Sequence, residues 1–354
     1  LIEKGVPGKE ILILEKEDEV GGLAQTKSYN GFRFDLGPHR WFTKSEEIDR
    51  MWEKVSSPDI LEVERLTRIW YQKSFFNYPL SPMNVLKNFG IAESSMAIFT
   101  YLLQGAKNHL DNAQPKNMEE AFIRQFGPVL YRAFFKDYNQ KLWGGAGCRE
   151  LSPDWVKQRV KNLSLAQALL DAIGLSKKGK VVSLVEHFKY PSGGTGQLSE
   201  RMMSVIKNSG GTVVCSSGVK RVIRTGNRLT HVIISRDGKD EEYEISYCIS
   251  SIPIDLLVHA IHPEGPSRVV DATKGLRYRH LIFVVLFVEM SRVMKDNWLY
   301  VQDPSVSFNR FMDMASWNPS LSPAGRTSLI FEITSDIGDS FWSCPDVELI
   351  KRVR

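Results

Sequence analysis

The sequence predicts an α/β protein in which a Rossmann-like nucleotide-binding domain is assembled from discontinuous segments, with a sheet-plus-helix domain inserted between them. Three observations predict it. Ile11 to Leu14 is a short continuous run of β-forming apolar residues that ends at Glu15, the pattern of a parallel strand buried on both faces. Far downstream, a helical segment from Gln197 to Asn208 is closed by Gly210-Gly211 and followed at once by Thr212 to Cys215, a second strand. That is an α/β unit returning to the first sheet. Between and after these segments lie aromatic and β-rich runs that belong to a different sheet. The boundaries read as 1–60 for the first part of the nucleotide-binding domain, 61–185 for a helical substrate domain, 186–260 for the second nucleotide-binding part, and 261–354 for the substrate-domain sheet.

The elements follow in order. Gly5-Val6-Pro7-Gly8 is a turn. In Ser45 to Val55, the residues Ile48, Met51, Trp52 and Val55 recur at helical spacing. Leu66 to Leu80 is aromatic and β-rich on both sides of a turn, which predicts a hairpin. Helix follows through about residue 175, including Met118 to Phe126 and Val129 to Tyr138. Val181 to Tyr190 then leads into Pro191-Ser192-Gly193-Gly194-Thr195-Gly196. After the Gln197 helix, strands are expected over Thr212 to Cys215, Val219 to Arg224, Leu229 to Ser235 and Tyr243 to Ser251. A third β-rich region holds His280 to Val288, Trp298 to Gln302 and Ser328 to Thr334. The chain opens like the tail of a helix and stops inside an uncapped one, so it reads as a fragment.

Composition narrows the class. With 42% hydrophobic and 25% charged residues over 354 positions, the chain can bury a large core and is not disordered. The net charge of +5 suits an anionic small ligand. It is too dilute for nucleic acid, and the densest cationic stretch, Lys177-Lys178-Gly179-Lys180, reads as a solvated loop. The four cysteines, at 148, 215, 248 and 344, form no CxxC pair, which argues against zinc or a redox dithiol. Cys215 and Cys248 lie in strand-like runs and read as buried thiols in a reducing, cytoplasmic compartment. No metal-ligand spacing, Ser-His-Asp order or paired carboxylates emerge, so no metal is expected. Ile91 to Leu103 is the most apolar helical run, interrupted by Glu93, Ser94 and Ser95. It reads first as a packed helix and second as a membrane-facing one.

The chemistry begins at Glu15. In dinucleotide-binding folds an acidic residue closing the second strand accepts from ribose hydroxyls. Paired glycines such as Gly21-Gly22 let a backbone approach a pyrophosphate. A plain acidic strand end followed by a turn is the alternative reading.

Leu14-Glu15-Lys16, Val20-Gly21-Gly22-Leu23-Ala24-Gln25-Thr26 and Phe34-Asp35-Leu36-Gly37-Pro38-His39 together resemble the front of a large flavoprotein superfamily. It contains the amine oxidases, protoporphyrinogen oxidases, phytoene desaturases and UDP-galactopyranose mutases. The resemblance implies FAD as cofactor, lined by Glu15, Gly21, Gly22, Gly37, Pro38 and His39. Gln25 stands where the family commonly has arginine. The segment Gly218-Val219-Lys220-Arg221-Val222, with Ile249-Ser250-Ser251-Ile252-Pro253, resembles the return to the FAD domain. It implies that Val219 meets the adenine side through its backbone and that Ser251 and Pro253 also bind the cofactor. The superfamily's GxGxxG loop does not occur in these residues, so weak FAD retention is expected.

Lys141-x-Trp143-Gly144, Leu276-Arg277-Tyr278-Arg279 and Phe308-Asn309-Arg310 resemble the branch close to UDP-galactopyranose mutase. There, arginines of these kinds hold a substrate diphosphate. The resemblance thus implies His39, Trp143, Arg279 and Arg310 as catalytic-site residues. A mutase arginine aligns near Asn162, with Arg159 and Lys161 only neighbours. The leading expectation is flavin-dependent oxidation of a small-molecule substrate, with hydride passing to flavin N5. The alternatives are a mutase acting on a nucleotide sugar and a non-catalytic flavoprotein.

Overall fold

A computed structural model describes residues 1–78, 80–111, 113–145, 147–159 and 187–354. In chain order the elements are β1 (Leu12–Leu14), β2 (Thr26–Tyr29), β3 (Phe32–Asp35), α1 (Glu46–Ser56), β4 (Ile60–Glu64), β5 (Thr67–Tyr71), β6 (Ser74–Asn77), α2 (Pro82–Leu110) and α3 (Met118–Tyr131). There follow α4 (Asp137–Trp143), α5 (Asp154–Arg159), β7 (His187–Pro191), α6 (Gly196–Asn208), β8 (Thr212–Val214), β9 (Gly218–Thr225), β10 (Arg228–Arg236) and β11 (Lys239–Glu244). Last come α7 (Ile254–Ala260), β12 (Ile261–His262), α8 (Ser267–Thr273), β13 (His280–Val288), β14 (Trp298–Val301), β15 (Arg310–Asp313), β16 (Thr327–Ser335) and α9 (Asp346–Val353). The chain forms two compact units. The first is Leu1–Lys27, Thr43–Ile60 and Gly193–Tyr278; the second is Ser28–Phe42, Leu61–Ser192 and Arg279–Arg354.

In the first unit β1 pairs in parallel with β8, Leu12 opposite Thr212 and Leu14 opposite Val214. Helix α6 precedes β8 and ends as its glycines dictate: Gly210 takes φ 85°, and the Gly211 N–H donates to the Ile206 carbonyl at 2.9 Å. Helix α1 starts at Ser45, whose hydroxyl accepts from the Ile48 N–H at 3.4 Å. Strands β11, β10, β9 and β12 form a second sheet, with β9 parallel to β12 and antiparallel to β10. Val222, Val232 and Ile234 make its core, with Leu14 packed against them.

Three expectations are corrected here. Strand β1 is not buried on both faces, because Ile13 is exposed. The strand expected over Tyr243 to Ser251 stops at Glu244, and Tyr247 and Ile249 are 93% and 84% exposed. Apolar residues favour a strand only where a neighbour supplies both hydrogen bonds and cover, and the β11 ladder on β10 runs out at Glu244 opposite His231. Cys248 is consequently exposed rather than a buried thiol, and Cys215 is only half-buried.

The second unit is built on a six-stranded sheet in the order β13-β16-β15-β14-β5-β6. Its first four strands pair antiparallel in sequence, then β14 runs parallel to β5. The β5–β6 hairpin turns at Gln72 and Lys73, both at positive φ. Strand β16 is buried along its whole length. Phe76, Phe134 and Phe89 pack as one aromatic cluster under α2 and α3, and Phe134 and Phe135 are core residues. The residues from Arg132 to Lys136 form a π-helical turn between α3 and α4. A buried Tyr190 hydroxyl donates to Asp35 at 2.6 Å. The expected helix beyond Arg159, the Lys177–Lys180 loop and the start of the Val181 segment lie outside the described residues, as does Pro79 at the end of the hairpin. No described helix is long and apolar enough to cross a membrane.

Candidate functional site

The first unit carries Glu15, Gly21, Gly22, Val219, Ser251 and Pro253. Glu15 stands where β1 ends: its N–H donates to the Val214 carbonyl at 2.9 Å, and its own carbonyl accepts from Ser217 at 2.8 Å. The parallel ladder therefore fixes the backbone that presents the carboxylate. One carboxylate oxygen accepts from the Glu17 N–H at 3.0 Å, and the side chain is only half-buried. Gly21 and Gly22 take φ of 115° and 56°, which L side chains adopt with strain. A side chain on Gly21 would press on Gln25 Cγ at 3.2 Å, whereas one on Gly22 would meet open space. Gln25 is buried, and its amide donates to the Glu19 carbonyl at 2.8 Å. It therefore braces the glycine turn from inside in the place of an expected cation.

An acceptor carboxylate at a parallel strand end, followed by an open positive-φ glycine turn, fits the ribose and pyrophosphate of a dinucleotide in donor chemistry. Val219 sits in β9 opposite Ile234, next to a register irregularity. Ser251 is exposed, and Pro253 is exposed at the start of α7.

The second unit carries Gly37, Pro38, His39, Trp143, Arg279 and Arg310. Gly37 is buried at φ 104°, and a side chain there would touch His39 and Phe283 at 3.6 Å. His39 Nε2 lies 3.0 Å from the Leu36 carbonyl. A carbonyl only accepts, so Nε2 carries a hydrogen and the ring orientation is fixed.

Trp143 ends α4 and meets Trp155 edge-on at 5.1 Å. Its indole N–H is buried and finds no acceptor among the described residues. A buried donor left without an acceptor is costly. Arg279 holds the same turn. Its Nε donates to the Leu142 carbonyl at 3.2 Å, its Nη2 to Lys141 at 3.4 Å, and its Nη1 pairs with Asp336. Gly144, at φ 62°, leaves room for the guanidinium; a side chain there would stand 2.9 Å from Nη1. Lys141 completes the brace by donating to the carbonyls of Val301, Asp303 and Phe308 at 3.1, 2.5 and 3.2 Å. Burial pulls its ammonium down to about 8.

Arg310 pairs with Glu332 across the β15–β16 register, with Nε at 3.0 Å from Oε1 and Nη2 at 2.8 and 2.6 Å from the two oxygens. Asn309 adds a fourth hydrogen bond, donated to the same carboxylate at 2.8 Å. Burial alone would lower the Arg310 basicity, but Tyr138 and Glu332 outweigh it and the net shift is upward. Both arginines carried forward from the sequence thus already have protein carboxylates.

Sequence reasoning passed over those carboxylates. A signal for Glu332 existed, because it is the one charged residue in the run Ser328 to Thr334, and a charge in a buried strand requires a partner. Asp336 is half exposed on a loop and gave no such signal. Arg159, Lys161 and Asn162, considered as the place of a further arginine, fall outside the described side chains.

Comparison with known proteins bears on the fold and the family. The fold is similar to that of reduced UDP-galactopyranose mutase, with TM-score 0.77 and 20% identity over 98% of this chain and 76% of that one. A protein from Exiguobacterium sp. 255-15 assigned as a protoporphyrinogen oxidase matches with TM-score 0.67 and 14% identity, over 97% of this chain and 75% of that one. Putrescine oxidase bound to putrescine matches with TM-score 0.56 and 15% identity, over 96% and 74%. The family model for flavin containing amine oxidoreductase matches residues 1–354. On that match the chain belongs to the family of flavin-containing amine oxidoreductases, enzymes whose cofactor is FAD.

Proposed function

We propose that this protein is a FAD-dependent oxidoreductase that oxidises a small molecule, rather than a mutase acting on a nucleotide sugar. The supporting observation is the state of its arginines. Arg310 has Nε and Nη2 engaged by Glu332, and Arg279 is spread over two carbonyls and Asp336. A guanidinium that grips a diphosphate needs its planar fork open to the ligand. Here each fork already serves the protein, and freeing Arg310 would leave Glu332, almost fully buried, without its counter-charge.

Bound FAD would accept a hydride from the substrate at its N5. Glu15 would take ribose hydroxyls, and the Gly21–Gly22 turn would let backbone approach the pyrophosphate. Val219 would meet the adenine side through its backbone, and Ser251 and Pro253 would add cofactor contacts. On the substrate side, the Leu36 carbonyl holds the His39 ring in one orientation, and the Arg279–Lys141 brace sets the position of Trp143. The Trp143 N–H is the group we assign to orient a substrate acceptor atom.

The mutase reading rests on the similarity of Phe308-Asn309-Arg310 and Leu276 to Arg279 to that branch, and the fold is similar to a mutase and to oxidases alike, with the higher TM-score for the mutase. Calorimetric titration of UDP into flavin-loaded protein separates them. We expect no binding at low salt, where charge interactions are least screened. Tight UDP binding that Arg310→Lys weakens about tenfold, at unchanged flavin content, would overturn the oxidoreductase reading in favour of the mutase.

A further inference from the structure

Before its Gly90 kink, helix α2 sends Val85 and Phe89 into the core; after it, the helix is built inside out. There the inward side carries small and polar groups: Ser94 and Ala97 are buried, Gln104 bonds to Asn108 at 3.0 Å, and Asn108 donates to the Arg124 carbonyl of α3 at 2.8 Å. The two helices approach closely because Gly127 of α3 has no side chain. A Cβ there would stand 3.1 Å from the Tyr101 backbone. The outward side carries the large apolar groups. Ile91 is 80% exposed, Phe99 and Leu102 are 61% each, and Met96, Ile98 and Leu103 are also exposed. From Ile91 to Ala106 the other exposed residues are Ala92, Ser95 and Ala106, so the exposed face carries no charge. It begins at the Gly90 kink and extends about 24 Å at the rise of an α-helix. Soluble surfaces seldom expose a continuous apolar face of this size without something to cover it.

The charges at its ends indicate the cover. Lys87 is exposed just before the face, and Lys107 and His109 just after it. The helix has one carboxylate, Glu93, which lies off the exposed face. Two copies pressed together by this face would bring lysines together, and the acid at the helix end, Asp111, already pairs with Arg124 at 3.6 Å. An apolar stripe with cations at both ends instead matches a membrane surface, whose acyl boundary takes the stripe and whose anionic headgroups meet the lysines. We propose that the outward face of α2 docks this protein on an anionic lipid bilayer. The face lies on the bilayer and does not span it.

The test is co-sedimentation of the full chain with vesicles of phosphatidylcholine alone and of equimolar phosphatidylcholine and phosphatidylglycerol. Phe99→Ser/Leu102→Gln alters two exposed positions, and an unchanged melting temperature will show that it folds. We expect the wild type to pellet with the mixed vesicles, and the double variant to partition about tenfold more weakly or less. Lys107→Glu should weaken binding to the mixed vesicles at low salt and leave the neutral vesicles unaffected. A wild type that stays in solution with both vesicles overturns the proposal, as does equal partition of the double variant. So does a lipid-free dimer that the double variant dissociates, which would make a second copy the occupant.

Discussion

Glu332→Gln is the sharpest test of how the second unit is held together. Glu332 accepts three charge-assisted hydrogen bonds from Arg310 and one from Asn309 in a strand with no exposed residue. Glutamine keeps one acceptor oxygen but turns an amide donor toward the guanidinium, and it leaves the Arg310 charge uncompensated. Removing one partner of a buried pair costs about 3–5 kcal/mol, and the retained acceptor places this variant near about 3 kcal/mol. For a unit of this size each kcal/mol shifts the melting temperature by about 2–4 °C, so a drop of about 6–12 °C is expected. Calorimetry of the wild type, the single variant and Arg310→Met/Glu332→Leu is the assay. The double variant should recover most of the loss, because an apolar pair of similar volume removes both charges together. A single variant that melts with the wild type, or a double variant no more stable than the single, would refute the view that this pair is a structural unit.

Further outcomes follow from the braces around Trp143 and from Glu15. Lys141 is lowered by burial to about 8 from the ordinary 10.5, so between those values the unfolded chain binds more protons than the folded one. Stability should therefore rise across that window, and urea midpoints for Lys141→Met should show the rise flattened. Burial alone would raise Asp339, but hydrogen bonds from Ser335 and from the Trp342, Asp336 and Phe341 N–H groups hold it down to about 2. Its contribution is complete above the ordinary 3.8 and fades as pH falls toward 2, so Asp339→Asn should lose that acid-side slope in thermal melts. Gly144→Ala puts a Cβ into the Arg279 guanidinium at positive φ, and should cost about 1–3 kcal/mol in chemical denaturation. Glu15→Ala should weaken FAD retention by about 1.5–3 kcal/mol and Glu15→Gln by less, read from flavin absorbance after gel filtration at matched stability.

Much of the fold was legible in the sequence because it depends on neighbours a few residues apart. The helical spacing after Ser45, the turn between Tyr71 and Phe75 and the glycine stop after Asn208 are local chemistry, and each element formed where that chemistry placed it. The family resemblance was also local, carried by short motifs around Glu15, His39 and Val219. What the sequence left open depends on partners distant along the chain. Arg310 is a salt-bridge residue because β15 and β16 pair in the register that sets it opposite Glu332. Arg279 is a brace because a loop brings Asp336 to it. The apolar run up to Ser251 looked like a strand, but a strand exists only where another pairs with it, and β11 ends at Glu244. In α2 the sequence showed an apolar helical run, and only the packing of Ser94, Ala97 and Asn108 against the rest of the unit decided which face was left outside.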